Sequence, residues 1–97
     1  MSVSAESIHS FILDELSSIT GRERATLSPD TPLIGSSSVV SSRELVELLL
    51  AVEEFSEAKL GVRFDWTSDS AMSEARSIYR NVGSLTEHLD SLQRTSA

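Results

Sequence analysis

A regular spacing of apolar residues over positions 42–60 constrains the fold of this chain more than any other feature. Apolar side chains recur there at every third or fourth position, with two more that widen the same face: Leu45, Leu48, Leu49, Val52 and Phe55, then Val46 and Leu50. This period is typical of an amphipathic helix, and Gly61 directly after it is a common helix end. We therefore predict a helix over 42–60 that is capped by the hydroxyl of Ser41 or Ser42.

Weaker patterns of the same period predict three further helices. The first covers about 4–20, with Ser4 as its cap, and ends before Gly21. The second covers 69–80, and the third covers 84–93, with Ser84 as its cap and Glu87 completing a capping box. The apolar residues that define these three helices are Ile8, Phe11, Ile12, Leu16, Ile19, Met72, Ala75, Ile78, Tyr79, Leu85, Leu89 and Leu92.

The segments between these helices are predicted to be loops. Residues 22–40 contain both prolines, Gly35 and three successive serines, a composition that favours a long structured loop. Loops of this length in small domains are usually functional. Residues 62–66 alternate in polarity, but a single strand would have no partner, so we expect an extended connector with Val62 and Phe64 turned inward.

The fold class that follows is an all-α bundle of three main helices and one shorter one. With 97 residues the chain is long enough for one domain, so we take 1–97 as a single unit. Its core is predicted to contain Phe11, Leu16, Leu45, Leu49, Val52, Phe55, Val82, Leu85 and Leu89.

Composition narrows the classes of function. The 39% hydrophobic and 24% charged residues are typical of a globular protein that folds in water, and no apolar run is long enough to span a membrane. A net charge of −7 repels nucleic acids and anionic lipids, so we expect neither as a partner and basic protein surfaces instead. The first residues lack the features of a signal peptide, so we expect a cytoplasmic protein. We also expect it to be a monomer.

Candidate catalytic and metal-binding residues are few. The chain has no cysteine, which excludes thiolate metal sites and cysteine nucleophiles. His9 and His88 could each pair with a serine, but no glycine-flanked nucleophile turn accompanies them, so both are expected to face solvent. Glu53, Glu54 and Glu57 lie along a helix without histidine partners and are expected to form a solvated face. We therefore predict no catalytic residue, no metal site and no enzyme; a small hydrolase is a remote alternative.

One combination of residues stands out, because a long proline-containing loop leads to a serine at the start of an acidic amphipathic helix. Ser42 is followed by two residues and then by Leu45-Val46-Glu47-Leu48, and the chain later carries Val82-Gly83-Ser84-Leu85 before the last helix. This arrangement resembles the acyl carrier protein family over most of the chain, from Ile8 to Leu92. In that family an Asp-Ser-Leu sequence begins the second helix, and its serine is esterified to 4′-phosphopantetheine.

The resemblance implies a four-helix carrier in which Ser42 bears the 4′-phosphopantetheine arm and holds an acyl or aminoacyl group as a thioester. The implied partners are a phosphopantetheinyl transferase and acyl-loading ligases or synthases with basic docking surfaces. The residues expected to contact them are Ser41, Arg43, Glu44, Glu47 and Val82. A phosphate ester at a helix N-terminus would be favoured by the free backbone amides there.

Two residues differ from the family pattern. Ser41 stands where the family has aspartate, and Arg43 stands where it usually has leucine. These differences favour a specialised biosynthetic carrier with its own enzymes over the carrier of fatty-acid synthesis. They also leave a second hypothesis open, in which the chain is an unmodified carrier-like module that only binds a protein partner.

Overall fold

The chain is an all-α bundle in a computed structural model that describes residues 3–64, 66 and 76–95. Within these residues, three long α-helices cover Ala5–Thr20 (α1), Ser42–Phe55 (α2) and Val82–Thr95 (α3). The predicted all-α class is confirmed. None of the helices in the described ranges is long and apolar enough to cross a membrane.

Helix α1 has clear signals at both ends. At its start the Ser4 hydroxyl accepts a hydrogen bond from the backbone N–H of Ser7 at 3.1 Å. At its end Gly21 adopts a left-handed conformation with φ of 73°, and its N–H donates to the Ser17 carbonyl. Glycine adopts this conformation without the steric cost of a Cβ, so the helix ends here.

Helix α2 is shorter than the predicted range of 42–60. It is α-helical to Phe55 and continues as a π-helical turn over Ser56–Leu60. Ser56 is completely buried, and its hydroxyl donates to the Val62 carbonyl at 2.7 Å. This bond satisfies a buried hydroxyl and turns the chain back toward the core, where Phe64 is 1% exposed. Val62, predicted to point inward as well, is half-buried.

Helix α3 begins at Val82, two residues before the predicted start. Asn81 is the capping residue, because its side-chain oxygen accepts from the Ser84 N–H at 2.8 Å. The Ser84 hydroxyl in turn accepts from the Asn81 N–H at 3.1 Å, so the two residues bond reciprocally. The prediction that Ser84 is the cap, with Glu87 in its box, is therefore wrong.

The core lies where α1 packs against α2 and α3. The buried amide of Gln93, near the end of α3, bonds the backbone of Val3 just before α1, so α1 and α3 run antiparallel. The apolar residues that are at most 1% exposed are Ile8, Ile12, Leu16, Leu33, Leu48, Val52, Phe64, Val82, Leu85 and Leu89. Three predicted core residues are instead half-buried at its edge: Phe11, Leu45 and Phe55.

The two phenylalanines at that edge stack on each other. The ring centroids of Phe11 and Phe55 are 4.1 Å apart, with 12° between the ring planes, so each covers one face of the other. The predicted helix over 69–80 falls mainly outside the described residues, and its residues 76–78 are helical.

Candidate functional site

The start of α2 is fixed by Ser41, the last residue before the helix. Its hydroxyl accepts from the Glu44 N–H at 3.2 Å, and the Glu44 carboxylate accepts from the Ser41 N–H at 2.8 Å. These two bonds form a complete capping box, which satisfies two backbone donors that a helix start otherwise leaves free. An aspartate at position 41 would cap equally well, so serine here preserves the start of the helix.

Ser42 is the first residue of α2 and is not its cap. Its side chain is exposed, and its hydroxyl forms no hydrogen bond with any described residue. The backbone N–H groups of Ser42 and Arg43 also have no acceptor in the described structure, because the cap serves Glu44 and the first helical bond serves Leu45. An exposed hydroxyl thus lies beside two free amides at the positive end of a 14-residue helix.

A cleft of about 250 Å³ opens directly beside Ser42. Serines supply its polar lining and aliphatic side chains its apolar lining: Ser38, Ser41 and Ser42, and Leu33, Ile34, Val40 and Leu45. Leu33 and Val40 also belong to the buried core, so the floor of the cleft is continuous with the interior of the bundle. The cleft can therefore accept an apolar group attached near Ser42.

The loop that forms one wall of this cleft is held by the start of α3. Thr31 and Pro29 accept hydrogen bonds through their carbonyls from the N–H groups of Val82 and Gly83, at 3.0 and 2.8 Å. Pro32 also forms an isolated antiparallel bridge with Asn81. The N–H groups in the first turn of a helix have no acceptor within the helix, and two of those of α3 bond to the loop instead. The loop and the start of α3 therefore hold each other in position.

The outer face of α2 combines charge with exposed apolar side chains. Arg43 and Glu47 are exposed, and Arg43 forms no ion pair with a described residue. Val46 and Leu50 are 42% and 49% exposed, although their sequence positions suggested that they widen the buried face. One helical turn separates these two residues, so they form a short apolar stripe on the solvent side of the helix.

The structure corrects two other predictions about surface residues. Val82 is completely buried, so the prediction that it contacts partners is wrong. Its β-branched side chain faces inward at the start of α3 and packs in the core. The histidines are half-buried rather than fully solvent-facing. The ring of His88 meets the ring of Phe64 edge-on, with centroids 5.8 Å apart.

Among the described residues, two buried polar atoms that the sequence pattern did not single out have no hydrogen-bond partner: the Tyr79 hydroxyl and Trp66 Nε1. Burial raises the pKa of Tyr79 to about 12. Across residues 3–64, 66 and 76–95 no cluster of histidine and acidic side chains is arranged to hold a metal ion.

The chain was compared with models of protein families, with curated proteins and with solved structures. None of the three comparisons finds a match.

Proposed function

We propose that this chain is a carrier protein that holds an acyl or aminoacyl group on a 4′-phosphopantetheine arm attached to Ser42. The observation that carries the proposal is the division of roles between two adjacent serines. The Ser41 hydroxyl caps α2, whereas Ser42 is exposed and its hydroxyl forms no hydrogen bond with a described residue. The resemblance of the surrounding sequence to acyl carrier proteins supports the same residue.

The residues around Ser42 fit the proposed group. A phosphodiester on the Ser42 oxygen would lie near two free backbone amides and near Arg43, whose guanidinium has no ion-pair partner in the described residues. Attachment would form a bond from Ser42 Oγ to the β-phosphorus of coenzyme A and break the pyrophosphate P–O bond, so that adenosine 3′,5′-bisphosphate leaves together with the hydroxyl proton. When bound, the group supplies the thiol that a chain without cysteine lacks.

The outer face of α2 is the surface that a partner enzyme must approach to reach Ser42. Val46 and Leu50 offer a small apolar contact there, and Glu47, the residue after Val46, is exposed as well. Exposed carboxylates favour partners with a basic rim and accelerate their encounter at low salt. Arg43 is the exception on this face, and it would favour an acidic group on the partner if no phosphate engages it.

Intact-mass measurement after co-expression with a phosphopantetheinyl transferase of broad specificity tests the proposal. We expect the wild-type protein to gain the mass of one phosphopantetheinyl group and the Ser42→Ala variant to gain none. Ser41→Asp is the matched control, because it retains the cap and leaves Ser42 in place.

A wild-type protein that stays unmodified, both with this transferase and in extracts of the source cells, would contradict the proposal. That result would favour the alternative of an unmodified interaction module. Modification that persists in Ser42→Ala would show that the attachment residue is wrong.

A further inference from the structure

A groove between α1 and the end of α2 is lined by the two stacked phenylalanines. Its volume is about 270 Å³, and Phe11 and Phe55 form its aromatic part. The small side chains of Ala51 and Ala58 line it as well. Pockets that hold whole small molecules usually measure roughly 300–1,000 Å³. This groove is smaller, so its size favours a single side chain of another protein.

The rim of the groove carries charges that the fold does not neutralise. Glu15 of α1 and Glu54 of α2 line it, and neither carboxylate forms an ion pair with a described residue. Asp14, next to Glu15, does form one, since it pairs with Arg24 at 2.7 Å. Lys59 adds one positive charge to the same rim and is likewise unpaired in the described structure. Two carboxylates against one ammonium group favour a cationic occupant.

The groove is separate both from the outer face of α2 and from Ser42. Leu50 and Ala51 are consecutive residues of α2, so they lie about 100° apart around the helix axis. The groove therefore lies on the flank of α2 that faces α1, and not on the face that exposes Val46 and Leu50. Ala51 is also about 14 Å along the axis from Ser42. A side chain in the groove leaves Ser42 uncovered.

We propose that the groove formed by Phe11 and Glu15 of α1 and Phe55 of α2 receives an arginine side chain of another protein. Arginine has a long apolar stem, which suits the alanines and the phenylalanine rings. Its planar guanidinium packs on aromatic rings and pairs with carboxylates through two hydrogen bonds. Lysine offers a similar stem but a compact, strongly hydrated charge, and a neutral apolar side chain would leave both carboxylates unpaired.

This contact would allow a partner to stay bound while the start of α2 remains accessible. It does not depend on modification of Ser42, so it applies equally to a carrier and to an unmodified interaction module. Its test can therefore fail without affecting the proposed function.

The experiment is a titration of the ¹⁵N-labelled protein, followed by the chemical shifts of its backbone amides. The probes are three peptides that differ only in the central residue: acetyl-Leu-Arg-Leu-amide, its lysine analogue and its citrulline analogue. Citrulline keeps the shape of arginine without the charge. The variants are Glu15→Gln and Lys59→Gln, and the control is Glu87→Gln, which removes an exposed carboxylate on α3 away from the groove.

We expect the arginine peptide to shift the amides of Glu15, Ala51, Phe55 and Ala58. The citrulline peptide should bind about tenfold more weakly, because it loses the ion pairs and the cation–π contact. Glu15→Gln should weaken binding of the arginine peptide about two- to fivefold, and Lys59→Gln should strengthen it by a similar factor. Both effects should shrink at high salt, and Glu87→Gln should bind like wild type.

Four results would overturn the inference. The first is the absence of shifts at the groove amides, and the second is equal binding of the arginine and citrulline peptides. The third is binding of the lysine peptide as tight as that of the arginine peptide. The fourth is a set of groove shifts that depends on the concentration of the protein alone, which would assign the groove to a second copy of this chain.

Discussion

Replacing each of the two adjacent serines by alanine should separate stability from modification. Ser41→Ala removes the oxygen that accepts from the Glu44 N–H at 3.2 Å and leaves that amide without its cap. Loss of such a cap costs about 1 kcal/mol, within a range of about 0.5 to 2 kcal/mol. For a chain of this size that corresponds to a fall in thermal midpoint of roughly 4–8 °C.

Ser42→Ala makes the same chemical change one residue later, where the hydroxyl has no hydrogen bond to lose within the described residues. Its unfolding free energy should stay within about 0.5 kcal/mol of wild type, as expected for an exposed position. Only this variant should lose modification by the transferase. Urea denaturation followed by circular dichroism gives the stabilities, and intact mass gives the modification.

The reasoning fails if the two variants lose equal stability, since the cap would then not belong to Ser41 alone. It also fails if Ser41→Ala is as stable as wild type. Hydrogen exchange of the Glu44 amide provides a local check, because this amide should exchange faster in Ser41→Ala and at an unchanged rate in Ser42→Ala.

Three further predictions concern the core, the outer face of α2 and Tyr79. Leu48→Ala, at a completely buried position, should lower the unfolding free energy by about 2–5 kcal/mol. Leu50→Ala, at a position that is 49% exposed, should change it by less than about 1 kcal/mol. Equal losses of stability in urea denaturation would contradict the packing described. Glu47→Lys should slow transfer to a partner enzyme modestly at low salt and less at high salt, whereas Glu87→Lys on α3 should not; equal rates across a salt series would count against docking on α2. Because the pKa of Tyr79 is raised from 10.0 to about 12, the unfolding free energy should fall as pH rises between these values. The Tyr79→Phe variant should lack this part of the pH dependence. Tyrosinate absorbance reports on Tyr79 alone, because it is the single tyrosine.

The helical architecture could be predicted because its signals are local. Apolar residues at every third or fourth position define α1 and α2, and Gly21 and Gly61 end the helical segments through left-handed conformations that favour glycine. These features depend on neighbours in sequence. No knowledge of the tertiary contacts is needed to see them.

Helix starts were harder to predict where two capping residues lie close together. Asn81 and Ser84 are both good caps, and each bonds the backbone of the other, so the sequence alone does not distinguish the two possible starts. The start at Val82 is supported by tertiary bonds, since its N–H donates to the carbonyl of Thr31 in a distant loop. The adjacent serines at the start of α2 pose the same ambiguity, since either could have been the cap.

The candidate site was only partly predictable for a similar reason. The sequence placed Ser42 at the start of a helix, but the cleft beside it is built by residues 33–45 folding onto the core. The apolar residues of α2 span a wide face, and the sequence does not show which part of that face is covered by another helix. Val46 and Leu50 are exposed because the packing of α1 covers the opposite side, where Leu48 and Val52 lie.

Gly83 connects the loop over residues 22–40 to a helix far along the chain. A Cβ at this position would lie 3.2 Å from the carbonyl oxygen of Pro29, the same oxygen that accepts from the Gly83 N–H. A side chain here would require the Pro29 carbonyl to move by a few tenths of an ångström, although the Gly83 backbone itself remains helical. A chimera that grafts residues 22–42 onto another helical scaffold would therefore keep this close contact at Pro29 unchanged only if that scaffold also presents a glycine at this point.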